Sequence, residues 1–590
     1  MAAPLESPRI RAVPHPTAPE AATAGSPPST FMSGSAPFRS AAPTITLLRD
    51  ESTQHPFALA IAAAWSCYGG KPARVENVLK LIHGPAPADQ STAQATERAG
   101  RRERALKLYA DLFLAGHHTT LQHATFVFVL DNVSRLAIWS FFHAHPHYNS
   151  EQVSQRYREV TGKTMLAPAL PEAEAAIYDA AIERSLEGYR RLTEILTPDF
   201  ARDYATVFPA RAKAKGEAAE KRVADAVQKR AQEVARYVLP LATPAHLYHT
   251  VNGLTLLRYH VLANQPDAPA EVRFIVNWMV EEVLAVDPYF LGAPDYPLDL
   301  RVLGAEQTLE AEAFNAWREN LDQTAEEAET FCQRFDAELG DRDSRLVSYD
   351  PDAERTMADA VRTVLGAAGD GLSDEDAIAQ VLDGARNPYL GHPLFLAMHS
   401  KLMQTMNHVP FTFQKRISGA EDAQNQRHRG TLASRPLLTA HQRRDPDVIV
   451  PWAVRRNPAA LAEYDATVQA LWEAKNALLD AGAAPEVALY LLPNAHRVRF
   501  YESGTLLTYF WKWVKRVCFD AQREIFDTAV QEVGQVRQVL PTIGRYVDGP
   551  PCVMRSRAGT KPICPEGERY CGIPVWRDYR FEELPKRRVM

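Results

Sequence analysis

The order of hydrophobic and polar positions repeats once along the chain. Near the start, the β-prone run Thr44–Leu48 ends at an acidic turn and precedes the helical pattern Ala58–Ser66. Much later, Arg345–Tyr349 ends at the turn formers Asp350–Asp352 and precedes the helical pattern Thr356–Leu365. A short strand followed by an amphipathic helix is predicted in both places. We therefore predict two related domains in succession.

Longer helical patterns lie within and between these units. Glu172–Val238 is strongly helical, and we interpret its charged part, Lys213–Arg230, as a solvated helix face rather than an anion site. Ala305–Leu339 alternates acidic and apolar residues at helical spacing and predicts a connecting helix. The predicted divisions are a disordered Pro-, Ala- and Ser-rich tail (1–45), a first domain (46–290), a helical connector (291–344), a second domain (345–545) and a C-terminal tail containing Cys, Pro and Gly (546–590).

Length and charge agree with a soluble protein of several domains. The chain has 590 residues, which favours two or three domains, and its net charge of −6 does not favour a nucleic-acid binder. An anionic ligand would therefore be bound by local arginines. No apolar run is long enough to span a bilayer, the first 45 residues lack the apolar core of a secretory signal, and six cysteines do not suggest a disulfide framework. We expect a cytoplasmic location, with no membrane or nucleic-acid partner.

The main candidate binding site is a cluster of basic residues, Arg427-His428-Arg429, which closely follows Gln424. A guanidinium group offers a planar fork of donors that matches phosphate geometry and keeps its charge. The cluster is therefore a candidate clamp for a phosphate or a flavin pyrophosphate. Taken alone, such a short run is more often exposed basic surface, and both interpretations remain open at this point.

Other motifs surround this cluster and recur, altered, in the first half. The second half contains His408-Val409-Pro410-Phe411-Thr412-Phe413, then Gln424–Arg429, Arg516 and Ala521-Gln522-Arg523-Glu524-Ile525. The first half contains Gly116-His117-His118-Thr119 with His123, Phe126 and Phe128, then Ser154-Gln155-Arg156-Tyr157 and Arg236-Tyr237-Val238-Leu239-Pro240. Together these motifs resemble the flavin-dependent thymidylate synthases, the ThyX family. The chain looks like two fused ThyX-like domains.

The resemblance implies a fold and a reaction. The implied fold class is α+β, with a small twisted antiparallel sheet and several helices in each domain. The implied reaction is FAD-dependent methylation of dUMP to dTMP, with methylenetetrahydrofolate and NADPH as co-substrates. Sites in this family lie between subunits of a tetramer, so we expect a homodimer of the fused chain that forms a pseudo-tetramer.

The resemblance assigns dUMP-binding residues to both halves. One subunit's set matches Gln424, Arg427 and Arg516, and the partner's set matches Ser154, Arg156 and Arg236. Arg516 is expected to be the catalytic residue, because a positive charge there would favour loss of the imide proton of uracil.

Each half has lost the set that the other half keeps. By counting, Gln424, Arg427 and Arg516 correspond to Trp139, Phe142 and Ala263, and Ser154, Arg156 and Arg236 correspond to Leu437, Thr439 and Leu489. We therefore predict a single composite dUMP site between the halves. Ser434-Arg435, just after the basic cluster, is an alternative source of the second set and would break this division.

The resemblance also indicates a flavin site. The residues expected to bind FAD are Arg427, His428, Arg429, Thr119, Asn252 and His117. The second half has Gln404 and Thr505 in place of the threonine and the asparagine.

We predict no metal site. The alternating histidines of His143–His147 have no carboxylate or cysteine partner at ligand spacing. Cys552, Cys564 and Cys571 contain no C-x2-C pair, and zinc with a fourth ligand remains the alternative to a simple thiol-bearing tail.

Two other functions remain open. The segment Gly430–Thr439 differs from the family pattern, so the chain could be a ThyX-derived flavoenzyme that acts on another pyrimidine nucleotide. It could also be a non-catalytic nucleotide-binding or scaffold relative. The retained arginines disfavour this second alternative, since buried arginines without ligands are costly.

Overall fold

Two four-stranded antiparallel sheets of the same topology organise the two halves of the chain. The computed structural model describes residues 37–84, 91–161, 165–265, 268–300, 321–368 and 371–590, with the backbone only at 321–324. The strands are β1 (Thr44–Leu47), β2 (Thr125–Ser134), β3 (Asn149–Gln152), β4 (Pro244–Asn252), β5 (Gly292–Ala293), β6 (Tyr296–Pro297), β7 (Ser344–Tyr349), β8 (Pro410–Ser418), β9 (Leu432–Ser434) and β10 (Arg497–Thr505). The strand orders are β1-β2-β4-β3 and β7-β8-β10-β9, and β5 pairs with β6 separately.

Alternating apolar residues explain the central strands. Phe126, Phe128 and Leu130 on β2 and Phe411 and Phe413 on β8 are all buried. Successive side chains of a strand point to opposite faces, so each of these sets covers one face of its sheet. The other face of β4 carries Tyr248, Thr250 and Asn252, which are exposed or half-buried.

The two sheets differ by one residue in β2. Strands β8 and β10 pair without interruption from Pro410 opposite Thr505 to Ser418 opposite Arg497. In the first half, Leu130 pairs with Leu247 but Val133 pairs with Ala245, so β2 contains a β-bulge. Asn132 in this bulge has a φ of 57°. Equivalent positions beyond the bulge are therefore shifted by one relative to simple counting.

Helices cover the inner faces of the sheets. The longer ones are α1 (Pro56–Tyr68), α2 (Val75–Ile82), α3 (Thr92–Leu114), α4 (Glu172–Val207), α5 (Glu217–Ala235), α6 (Gly253–Ala263), α7 (Ala270–Leu284), α8 (Leu321–Leu339), α9 (Ala353–Leu365), α10 (Asp374–Leu382), α11 (Gly419–Asn425), α12 (Pro458–Asp480), α13 (Leu506–Arg516), α14 (Arg523–Val539) and α15 (Pro551–Arg557). Short α-helical turns span Arg135–Ala137, Pro209–Ala212, Trp452–Arg455, Pro485–Leu489, Pro541–Gly544 and Leu584–Arg587, and a π-helical turn spans Ile138–Phe142. Turns of 3-10 type span His118–His123, Arg236–Val238, Pro388–Gly391, Met403–His408, Leu438–His441, Gly567–Arg569 and Phe581–Glu583.

The long helical pattern of the first half is a hairpin of two helices. The pattern Glu172–Val238 is interrupted between α4 and α5, where Gly216 has a φ of 110°. Glycine tolerates this conformation because it has no Cβ. The hairpin packs against α12 of the second half, and one hydrophobic core includes Leu192 and Leu196 together with Leu471.

Main-chain hydrogen bonds also join the halves. The amide of Leu241 donates to the carbonyl of Leu492 over 2.8 Å, and the amide of Asn494 donates to the carbonyl of Leu239 over 2.8 Å. Pro240 and Pro493 form a bridge between these bonds. The segment before β4 therefore pairs antiparallel with the equivalent segment before β10.

The C-terminal segment is part of the second half. Cys552, Met554, Val575, Phe581 and Leu584 lie in the same hydrophobic core as α9 and α13. Of the predicted connector helix Ala305–Leu339, the part 305–320 lies outside the described residues, and α8 begins at Leu321. Most of the predicted tail 1–45 also lies outside them, and β1 begins at Thr44. The domain divisions stay a prediction.

The predicted α+β class with two related units is confirmed, because both halves combine a small antiparallel sheet with several helices. Among the described residues, no helix combines the length and the apolar character that crossing a bilayer requires.

The contact between α4 and α12 gives a stability prediction. A Cβ added at Gly188 would lie 2.2–2.9 Å from three side-chain atoms of Thr467. Threonine is stiff at χ1, so it cannot yield easily. We expect Gly188→Ala to lower the free energy of unfolding by about 1–3 kcal/mol, measured by urea denaturation.

The matched control is Gly100→Ala on α3, where the nearest atom to a Cβ would be the Arg104 Nη1 at 3.5 Å. This substitution should stabilise the protein by up to about 1 kcal/mol through helix propensity. The double variant Gly188→Ala with Thr467→Ala should recover part of the loss, because the two closest atoms of Thr467 are removed and only its Cβ, at 2.9 Å, remains. Stabilisation by Gly188→Ala alone would contradict close packing of α4 on α12.

Candidate functional site

The basic cluster of the second half forms a turn beside the end of α13. Helix α11 starts at the N-cap Ser418 and ends at Asn425, and Arg427-His428-Arg429 follows. The Nε of Arg516 donates to the Nε2 of His428 over 2.9 Å, and its Nη2 donates to the carbonyl of Gln424 over 2.8 Å. Burial, and then the charge of Arg516, lowers the pKa of His428 well below its usual value. The ring is therefore neutral and accepts this bond.

Arginines of the first half lie against the same region. The Nη2 of Arg156 donates to the carbonyl of Asp520 over 2.8 Å, and its Nε is paired with Glu233. Arg236 donates to the side-chain oxygen of Gln522. The chain therefore brings arginines from both halves to the segment that follows α13.

One amide side chain connects the two sets. The Oε1 of Gln522 accepts from the Nε2 of Gln424 over 2.6 Å and from Arg236, and its Nε2 donates to the hydroxyl of Tyr237. The Nη2 of Arg427 donates to the Oε2 of Glu151 on β3 over 2.7 Å. Gln522 thus joins Gln424 of the second half to Arg236 of the first. Arg427 and Arg156 each contact the opposite half separately, through Glu151 and the carbonyl of Asp520.

Arg516 keeps its positive charge at this junction. Burial, followed by the charges of Arg156 and Arg427, lowers the pKa of Arg516 to about 10, so its guanidinium is still charged at neutral pH. The Oε1 of Gln424 and the Nε of Arg236 are buried and have no hydrogen-bond partner within the described protein. Unpaired buried polar atoms are costly, so these atoms fit contacts to a polar ligand.

A cleft lies beside the basic turn. It has a volume of about 390 Å³ and is lined by Arg427, Arg429, Tyr148, Glu151 and Thr250, among others. The guanidinium of Arg429 lies 5.3 Å from the centre of the Tyr148 ring. Arginine donors beside an aromatic face suit a phosphorylated aromatic ligand.

The predicted flavin residues of the first half lie apart from the basic turn. His117 precedes the turn His118–His123, Thr119 lies within it, and both side chains are exposed. Neither residue lines the cleft beside Arg427 and Arg429. Asn252 caps α6 by accepting from the amide of Thr255 over 2.8 Å. It lies on the same face of β4 as Thr250, two residues further along the strand.

The β-bulge changes two of the equivalences obtained by counting. Ser134 matches Ser418, since both are helix N-caps and both bond a glutamate, Glu271 or Glu524. The equivalents of Gln424 and Arg427 are therefore Ser140 and His143, so counting was wrong to give Trp139 and Phe142.

The corrected equivalent of Arg427 also lacks its positive charge. Burial first, and nearby arginines second, lower the pKa of His143 to about 3, so it carries no charge at neutral pH. Ala263 remains the equivalent of Arg516, because α6 and α13 end at these residues.

The register of the edge strands fixes the other equivalences. Glu151 lies opposite Tyr248, and Ser434 lies opposite Tyr501 at the equivalent place in the second sheet. Continuing from there, Ser154 and Arg156 match Leu437 and Thr439, as counted. The bridge between Pro240 and Pro493 likewise matches Arg236 with Leu489.

Of the two alternative residues after the basic turn, Arg435 is engaged elsewhere. Arg435 makes two bonds to the carboxylate of Asp422, over 2.7 and 3.0 Å. Ser434 is exposed on β9.

The histidine and cysteine candidates are placed as follows. His143 bonds Ser150 and His145 bonds Tyr259, both in the loop before β3. Cys552, Cys564 and Cys571 line one small cavity together with Cys518. Within the described ranges, no group of three or more His, Cys, Asp or Glu side chains has an arrangement that could hold a metal ion.

Sequence reasoning missed three contributors to the junction. Gln522 belongs to the quoted motif Ala521–Ile525 but was given no role, Glu233 precedes Arg236 closely, and Glu151 precedes Ser154. A polar residue within a few positions of each motif arginine was the available signal. The contacts themselves join residues far apart in sequence and could not be read from it.

The fold and the site together define a duplicated α+β protein with an arginine-rich junction between its halves. A model of the family described as thymidylate synthase complementing protein (Thy1) matches residues 48–289 and 345–542. The chain therefore belongs to this family, the ThyX family of the motif comparison. The predictions of the family and of the enzyme class are confirmed.

Curated relatives correspond to less than half of this chain. The flavin-dependent thymidylate synthase of Geobacter sulfurreducens is 31% identical over 248 residues, which are 40% of this chain and 97% of that protein. The enzyme of the same name from Clostridium tetani is 25% identical over 219 residues, 36% of this chain and 78% of that protein. One from a Mycobacterium species is 27% identical over 187 residues, 31% of this chain and 68% of that protein.

The ion pair of Arg156 gives a pH prediction. Burial would raise the pKa of Glu233, but Arg156, Arg230 and Arg236 outweigh it and lower the pKa from 4.5 to about 2. A depressed folded-state pKa gives stability that is present above the unfolded value and is lost as pH falls through the folded value. Glu233→Gln should therefore lower the free energy of unfolding at pH 7 by up to about 3 kcal/mol.

The difference between wild type and Glu233→Gln should shrink as pH falls from 4.5 towards 3, as measured by urea denaturation across this range. Glu187→Gln is the control, because its carboxylate pairs with Arg190 and Arg191 on the surface of α4 and contributes little. A difference that stays constant with pH would show that the ionised carboxylate is not the stabilising group.

Proposed function

We propose that the protein is a flavin-dependent thymidylate synthase that converts dUMP to dTMP at one composite site between its halves. The observation that carries this proposal is that Arg516 lies close enough to Arg156 and Arg427 to feel their charges, while Gln522 bonds both Gln424 and Arg236. Family membership supports the reaction class, and the names of the relatives, flavin-dependent thymidylate synthases, support the flavin requirement.

The arginines would bind the nucleotide in this proposal. Arg156 and Arg236 would hold it from the first half and Gln424 and Arg427 from the second, with Ser154 beside Arg156. Charge-assisted bonds from guanidinium groups are the strong choice for a phosphate. The Oε1 of Gln424 and the Nε of Arg236, which have no partner within the described protein, would gain one.

Arg516 would act on the pyrimidine ring. It is half-buried, positively charged and held by the neutral His428 rather than by a carboxylate. Its charge is therefore available to stabilise negative charge that develops on the ring when the imide proton leaves. Electrostatic stabilisation of this kind needs donors fixed in advance, and the two bonds of Arg516 fix its position.

The basic turn fits the flavin by its donor chemistry. Arg427 and Arg429 line the cleft with Tyr148. Within the part of the chain that the structure describes, Arg427 is paired with the exposed Glu151, and Arg429 has no ion pair. Both guanidinium groups could therefore bind a pyrophosphate, with His117, Thr119 and Asn252 as candidate contacts further away. Bound FAD would supply the hydride chemistry, with NADPH as reductant and methylenetetrahydrofolate as one-carbon donor.

The central prediction concerns tritium release from 5-tritiated dUMP by the full chain with FAD, NADPH and methylenetetrahydrofolate. We expect release by the wild type and a loss of about 100-fold or more in turnover for Arg516→Ala, because a developing charge loses its partner. Arg427→Ala and Arg156→Ala should both weaken dUMP binding, measured by calorimetry. The control is Arg190→Ala, a surface arginine of α4.

Bound dUMP without any release would refute catalysis of this reaction and favour the scaffold alternative. Release from another pyrimidine nucleotide in preference to dUMP, with products identified by chromatography, would favour the other alternative.

A second prediction separates a site within one chain from a site between chains. Co-expressed Arg427→Ala and Arg156→Ala chains should remain inactive, because every chain then carries one damaged half of its own site. Each variant co-expressed with wild type is the control and should show the wild-type share of activity. Recovery of activity in the mixture would mean that the halves of different chains form the site.

A further inference from the structure

Four ionised side chains are buried together behind the basic turn. Glu502 on β10, Lys415 on β8, Lys512 on α13 and Glu532 on α14 are each at most 2% exposed. The Nζ of Lys415 lies 3.3 Å from the Oε2 of Glu502 and 2.7 Å from the Oε1 of Glu532, and Lys512 is paired with Glu502. Two positive and two negative charges make the cluster neutral, which lowers the cost of burial.

One carboxylate of this cluster holds both ends of the basic turn. The Oε1 of Glu502 accepts from the Nδ2 of Asn425 over 2.8 Å and from the Oγ1 of Thr431 over 3.2 Å. Asn425 lies just before Arg427, and Thr431 lies just after Arg429. The carbonyl of His428, 3.0 Å from the same hydroxyl, shares its single proton with Glu502. The ends of the turn are therefore fixed to a single oxygen atom.

The other oxygen of the same carboxylate holds the helix that carries Arg516. Lys512, which is paired with the Oε2 of Glu502, lies on α13 four residues before Arg516. Residues at this spacing lie on the same side of a helix. Arg516 in turn bonds His428 of the basic turn. Glu502 thus links the turn and the helix through opposite oxygens.

The first half has none of these charges at the equivalent positions. The pairing of the two sheets and the common ends of their helices match Glu502 with His249, Lys415 with Leu130, Lys512 with Tyr259, and Glu532 with Met279. His249 and Tyr259 bond each other over 3.1 Å. Burial lowers the pKa of His249 well below its usual value, so this pair is neutral. The same fold is therefore stable without the charge cluster.

We infer that Glu502 is a positioning residue, which sets the Arg427–Arg429 turn against Arg516 by bonding Asn425 and Thr431 with one oxygen and Lys512 with the other. This inference rests on the proposed function of the arginines. The half that keeps the charge cluster is the half that keeps Gln424, Arg427 and Arg516. A cluster required only for folding would be expected in both halves.

The test compares two matched pairs of variants. Glu502→Gln replaces one acceptor oxygen by a donor NH2 group, so either Asn425 and Thr431 or Lys512 loses its acceptor. Glu532→Gln removes a charge of the same cluster, but this side chain does not touch the basic turn. Thr431→Val removes the hydroxyl bond to Glu502 with little change of shape. Thr467→Val is its control, a buried threonine on α12 that bonds Glu463. Each variant is measured for thermal stability, turnover, KM for dUMP and flavin retained after desalting.

We expect Glu502→Gln to lower turnover at least tenfold more than Glu532→Gln at a similar loss of thermal stability. Thr431→Val should lower turnover several-fold and retain less flavin, with near-normal stability, while Thr467→Val matches the wild type in turnover and flavin. If Glu502→Gln does not fold, the threonine pair decides the question alone.

Parallel loss of stability and turnover in both glutamate variants, with Thr431→Val equal to Thr467→Val, would overturn the inference and leave a purely structural cluster. Failure of the proposed function is a separate result, seen as absence of turnover in the wild type or normal turnover in Arg516→Ala. In that case flavin retention by the threonine pair still tests whether Glu502 positions the turn.

Discussion

A buried carboxylate in each half depends on a tyrosine of the other half, and the rest of the structure follows from this exchange. Glu271 accepts from the amide and hydroxyl of Ser134 and from the hydroxyl of Tyr490. Glu524 accepts from Ser418 in the same way and from Tyr237. Burial raises the pKa of both carboxyl groups, and the donors oppose this. Each glutamate therefore takes one of its donors from the other half. Loss of that donor would be costly, because a buried acceptor would be left short of a hydrogen bond.

Comparison of the halves separates what the fold requires from what the site requires. Positions that both halves keep, such as the paired serines, glutamates and tyrosines, bond one another and join the halves. Positions kept in one half only, such as Arg516 and Arg236, leave the fold intact where they are absent, at Ala263 and Leu489. The glutamate of the motif Ala521–Ile525 is thus a structural residue, although it stands beside Gln522, which contacts the site residues.

The sequence predicted the fold class and the motif arginines of the junction. It missed Gln522, Glu233 and Glu151, and counting placed some equivalences wrongly. Motifs containing Arg427, Arg516 and Arg156 are recognisable because they carry unusual residues at fixed spacing. Trp139 was matched with Gln424 because a β-bulge at Asn132 adds one residue, and no composition signal marks it. The contact of Arg236 with Gln522 joins residues 286 positions apart. Such contacts depend on the docking of the halves, which local patterns do not encode.

A tandem chain can lose one of two equivalent sites, whereas a symmetric assembly of identical subunits cannot. The place equivalent to the arginine junction is a cavity of about 240 Å³, lined by Phe38, Ser140, Glu271 and Tyr490 among others. A buried guanidinium without a ligand is unfavourable, so alanine or leucine at that place removes a cost to folding. In identical subunits the same substitution would also remove the arginine from the working site. If the proposed composite site is correct, duplication allows stability to favour the loss of one site while the other keeps its full set of charges.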